Sequence, residues 1–194
     1  MTSSPSEKPV TGLDEFRAAL LDYKNISSWA MGGTVAVPLL DYVVRLGPPW
    51  PWAGGVPIIT AVAELLTLIC VFHFWSRSSR KSVSRRIVIL IVLLVICFGS
   101  YLYLNGTFTF STPLGEKFVK GFTLTPDAAL LITPEYTTDA MLEEMGYRPD
   151  AVWTSSSITV MQLVLLFLWL LSFISLSATI ASFVLYHRRT SVRN

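Results

Sequence analysis

Four apolar stretches, at 29–46, 56–75, 87–104 and 158–186, dominate this chain and are interrupted only by single charges. Each reaches the roughly 18 to 20 residues that an α-helix needs to cross about 30 Å of hydrocarbon, and the last exceeds it. The expected fold is an all-α membrane protein. It is a four-transmembrane-helix bundle with a small external α+β cap between the third and fourth helices. The chain then divides into a tail with an amphipathic helix (1–28), three crossings (29–104), the cap (105–157), and the fourth crossing with a short tail (158–194).

Charge placement orients that bundle. Only 14% of the residues are charged, against 52% hydrophobic, and the net charge of +2 conceals their segregation. Arg77, Arg80, Lys81, Arg85 and Arg86 sit between the second and third apolar stretches, and Arg188, Arg189 and Arg193 follow the fourth. The 105–157 segment instead carries seven acids (Glu116, Asp127, Glu135, Asp139, Glu143, Glu144 and Asp150) and three bases (Lys117, Lys120 and Arg148). Lys and Arg beside short loops stay on the cytoplasmic side. Both basic clusters fall on one side of an even-numbered bundle, which places both termini in the cytoplasm of a plasma (inner) membrane.

No basic stretch leads into a short apolar core and a cleavage site near the amino terminus, so the first crossing is expected to be retained. Leu13, Phe16, Ala19, Leu20 and Tyr23 recur at helical spacing opposite Asp14, Arg17 and Asp22. That pattern is an amphipathic helix for the membrane surface or a neighbouring subunit. The 47–55 stretch, with three prolines and two tryptophans, is an external turn that makes a hairpin of the first two crossings. In the cap, Phe108 and Phe110 alternate with Thr107, Thr109 and Ser111, a strand period, and a turn at Pro113 to Gly115 leads into a second extended stretch. Pro126, Pro134 and Pro149 each stand where a first helical turn begins, and a helix from Asp139 ends at Gly146.

Ionisable residues inside the crossings are the strongest functional signal, because a charge in hydrocarbon costs about 2.5 to 3.5 kcal/mol even on insertion scales. Asp41 and Arg45 share one face of the first crossing, and Glu64 lies mid-way along the second. Counting back from the external turn at about 1.5 Å per residue brings all three into one layer, where Arg45 can pair with both acids. This charged cluster either neutralises itself and fixes hairpin register, or forms a ring that selects or gates ions among several copies, or relays protons. On the fourth crossing Thr159, Gln162, Trp169, Ser172, Ser175, Thr179, Ser182 and Tyr186 draw a polar stripe. Such a stripe lets helices approach closely, in one chain or in a homo-oligomer, or lines a water-filled path. The basic loop suits anionic lipid headgroups. Its hydroxyls and cations can also hold the phosphate of a nucleotide or nucleic acid, although no aromatic side chain is there to stack a base.

Catalysis has no visible machinery: there is no phosphate loop, no paired Cys or His spacing for a metal and no nucleophile turn, so no cofactor is expected. Cys70 and Cys97 lie within crossings as small apolar side chains. Four crossings, a cytosolic basic turn and a small external cap in a chain of this length resemble the multi-pass membrane components of bacterial antiphage systems such as Kiwa or Hailong. The resemblance lies in the layout of the whole chain. It implies a homo-oligomeric inner-membrane sensor or channel-type effector working with a soluble partner protein. The rival class is a structural or accessory subunit of a membrane complex.

Overall fold

Three helices long and apolar enough to cross a membrane frame the structure, a computed structural model that describes residues 47–49, 55–75, 78–131 and 137–191. Of Arg80 and of residues 187–191 only the backbone is described. The expected first crossing and the amphipathic helix before it lie outside the described residues. In chain order the elements are α1 (Gly55–Trp75), α2 (Arg80–Phe108), β1 (Thr109–Ser111), β2 (Lys117–Val119), α3 (Pro126–Leu131), α4 (Thr138–Glu144), α5 (Pro149–Val152) and α6 (Ser155–Ser191).

At about 1.5 Å per residue, α1, α2 and α6 are about 32, 44 and 56 Å long. Pro57 falls in the first turn of α1, where no intrahelical N–H is needed. The basic stretch read as a loop is largely helix, because Ser79 caps α2 by accepting from the Ser82 amide at 3.4 Å. Just before it, the Ser78 amide donates to the Trp75 carbonyl at 3.1 Å. Arg86 then folds back, donating to Ser78 Oγ at 3.2 Å with its guanidinium 4.7 Å from the Trp75 ring centre. That cation–π contact ties the start of α2 to the end of α1.

The longest helix, α6, is the centre of the bundle: both α1 and α2 pack principally on it. Near the turn end, Leu68, Val71 and Phe72 of α1 meet Ala178, Ala181, Val184 and Leu185 of α6, with Leu90 of α2 against them. Towards the cap, Val56 and Tyr101 meet Leu165, Trp169 and Phe173. Contact positions rise together along α1 and α6, so those helices run parallel, and α2 runs antiparallel to both. The faces turned from α6 stay apolar and bare: Ile58, Val62, Leu65 and Leu66 on α1, and Val88, Val92, Val95 and Ile96 on α2, are exposed.

The cap grows directly from α2. Strands β1 and β2 form the expected hairpin, pairing Thr109 with Val119, Phe110 with Phe118 and Ser111 with Lys117, but Thr107 and Phe108, read as the start of the strand, are the last turn of α2. Gly115 turns it with φ +80, a conformation open to glycine at no steric cost. The short helices start at Pro126 and Pro149 as the prolines suggest, and α4 stops at Gly146 in the left-handed region. The second expected start, at Pro134, lies outside the described residues. Ala128, Met141, Leu142, Val152 and Trp153 make a separate small core, against which Ile158 of α6 packs. An apolar core this small needs such a support, and α6 supplies it.

Candidate functional site

The buried face of α1 is Val56, Thr60, Glu64, Leu68, Val71 and Phe72. Steps of four and three keep these side chains on one stripe facing α6, so an acid at position 64 is drawn inside by the same periodicity that buries Val56 and Leu68. Glu64 is 1% exposed. Its Oε1 accepts from Ser177 Oγ of α6 at 3.3 Å. Its Oε2 is buried and has no hydrogen-bond partner among the described residues. An unmatched buried polar atom costs about 1–3 kcal/mol, and proteins leave few of them without a reason.

Apolar layers close this polar pair on both sides. One turn towards the cap, Thr60 Oγ1 donates to the Val56 carbonyl at 2.8 Å and accepts from Trp169 Nε1 at 3.1 Å. The indole also meets Tyr101 and Phe173, with ring centres 5.1 and 4.5 Å away. Towards the turn end, Leu68, Val71 and Phe72 complete the seal with Ala178 and Ala181. Among the described residues, Glu64 and Ser177 thus form a polar step between a cap-side plug tied by the Thr60–Trp169 bond and an apolar plug towards the turn end.

The polar stripe of α6 has a different part. Ser172, Ser175 and Ser182 are buried within one chain, while Gln162 and Thr179 are half-buried. The hydroxyls of Ser172, Ser175, Thr179 and Ser182 donate to the carbonyls of Leu168, Leu171, Ser175 and Ala178, four residues back. That back-bonding satisfies each hydroxyl without a second helix. Ser177 breaks the pattern and spends its hydroxyl on Glu64. It stands off the stripe by about half a helical turn, which is why spacing alone passed over it. Asking which hydroxyl can face the acid, rather than which residues repeat, is the signal that finds it.

Of the proposed charged cluster, Asp41 and Arg45 lie outside the described residues, so the structure brings Glu64 together with Ser177 and says nothing of the other two. In the basic stretch, Lys81 and Arg85 are exposed and Arg86 is engaged by Ser78 and Trp75. Arg77 also lies outside the described residues. Among the described residues no group of three or more His, Cys, Asp or Glu side chains could hold a metal ion. A buried carboxyl with one open oxygen, held by a hydroxyl on the neighbouring helix, can bind and release a small cation or proton. No protein-family model, curated protein or solved structure matches this chain.

Proposed function

We propose that the chain is a multi-pass membrane protein of the sensor or channel type, in which Glu64 is the ion-handling group. Its crossings are α1, α2, α6 and the 29–46 stretch, with the basic turn in the cytoplasm and the cap outside. The bare apolar faces of α1 and α2 support insertion, because a protein in water rarely leaves so large an apolar surface uncovered. Exposed Lys81 and Arg85 suit the anionic headgroups of the cytoplasmic leaflet. A second copy would meet the outward face of α2 or the part of α1 that the 29–46 crossing leaves uncovered, since Ser172, Ser175 and Ser182 are already covered within one chain.

One observation carries the reading: an acid at the centre of an apolar bundle, 1% exposed, with one oxygen unmatched. Acids within membrane helices are expensive and mark ion or proton paths. In an accessory subunit Glu64 would serve only to hold α1 against α6, and its loss would cost stability and no transport.

The test is uptake of protons and of monovalent cations by vesicles carrying the purified protein, driven by an imposed potential. Glu64→Gln keeps the shape and an acceptor for Ser177, so the variant is expected to fold like the wild type and to lose the potential-driven uptake. Uptake unchanged in Glu64→Gln, or absent from the folded wild type, would overturn the assignment of Glu64 as an ion-handling group.

A further inference from the structure

We propose that the Glu64–Ser177 step is an occluded proton-binding site, whose occupant is a proton on Glu64 Oε2 and not a divalent metal cation. This rests on the preceding reading and names the ion.

The oxygens at hand decide it. Among the described residues, Glu64 offers two and Ser177 one. Thr60, the next hydroxyl on the same face, is spoken for twice, by the Val56 carbonyl and by the Trp169 indole. The stripe hydroxyls of α6 donate to their own helix. Divalent ions such as Ca²⁺ and Mg²⁺ take six or more oxygens, far more than this step supplies. A proton needs one lone pair, and Oε2 holds it open. Leaving one O–H without an acceptor costs much less than burying an unpaired charge.

Among the described residues, the elements around Glu64 bring little that competes for the proton; Asp41 and Arg45, which the sequence brings into its layer, lie outside them. On α1, Cys70 and His73 are exposed and away from the buried stripe. Along α6 the first titratable side chain after Ser177 is Tyr186. From α2 come Tyr101, in the aromatic layer towards the cap, and buried Cys97. The apolar plugs on either side mean that the proton enters or leaves only when one of them opens, and the Thr60–Trp169 bond holds the cap-side plug shut.

Infrared difference spectra of the full-length protein in phosphatidylcholine vesicles, recorded as the pH is raised, test the assignment. The wild type is expected to show the carbonyl stretch of a protonated carboxylic acid in an apolar setting, lost in Glu64→Gln and shifted to higher frequency in Ser177→Ala, where the hydroxyl donated to Oε1 is gone. Addition of Na⁺, Ca²⁺ or Mg²⁺ should leave the band in place. If the band is missing from the folded wild type, survives Glu64→Gln, or is displaced by one of those cations, the proton site is overturned. A band without uptake in the vesicle experiment leaves the proton site standing and removes transport. Uptake that depends on Glu64 without a band removes the proton site alone.

Discussion

Trp169→Ala is expected to be among the most damaging single changes in the bundle, lowering stability by about 3 kcal/mol. That figure is the lower end of the range for emptying a buried tryptophan site, because a lipid surrounding removes the transfer part and leaves lost packing. The indole is buried where all three long helices meet: it touches Tyr101 of α2 and Phe173 of α6 and donates to Thr60 of α1. Removing it opens a cavity beside the Glu64 layer and frees α1 from α6 at that level. Trp169→Phe separates the parts, since it keeps most of the packing and deletes the N–H, so a loss of about 0.5–1.5 kcal/mol is expected. Reversible unfolding in mixed detergent micelles reads both. A cost below about 1 kcal/mol for the alanine variant would show that the indole does not join the helices as described.

Gly121→Ala should detach the cap from α6. A β-carbon at Gly121 would stand 2.2 Å from Ser157 Oγ and 2.6 Å from Trp153 Cβ, closer than any real contact allows. Glycine is required there by the close approach of the β2 exit to the start of α6. The same seam holds the hydrogen bonds from the Thr154 amide and Ser157 Oγ to the Thr123 carbonyl. Overpacking of this kind costs about 1–3 kcal/mol. The cap core is small enough for that to matter. Hydrogen exchange and limited proteolysis between Thr109 and Trp153 should rise, while α1 and α2 stay protected. Unchanged protection of the cap would mean that the seam yields without loss. Removing the Ser157 hydroxyl as well should recover only part of the loss, because Trp153 Cβ remains in the way.

Hydropathy made the long helices legible, and alternation made the cap hairpin legible: Phe110 between Thr109 and Ser111 announces β1, though the same alternation at Thr107 and Phe108 falls in α2, and Gly146 announces the end of α4. The start of α2 was less visible, since a basic stretch bounded by serines reads as loop until Ser79 is recognised as its cap. The centre of the bundle was not visible at all. Nearly every position in the long helices is apolar, so the pattern carries little information on which helix touches which, and α6 becomes central only through the packing of α1 and α2 on it. For the same reason Glu64 stood out as a misplaced acid but its partner did not. Serines crowd the Ser172–Ser182 region of α6, and only the phase of the helix distinguishes Ser177, which faces α1, from neighbours bonded to their own backbone.

Everything proposed for Glu64 depends on the three helices crossing a membrane with the cap on one side and the basic turn on the other. Single cysteines at Leu114, at the hairpin tip and 89% exposed, and at exposed Lys81 near the start of α2, settle that when placed in a chain whose Cys70 and Cys97 are alanine. Leu114→Cys should react with a membrane-impermeant maleimide in intact cells, and Lys81→Cys only after the membrane is permeabilised. Equal labelling of both positions in intact cells, or labelling of Lys81→Cys alone, would contradict the arrangement and with it the placing of Glu64 inside the membrane.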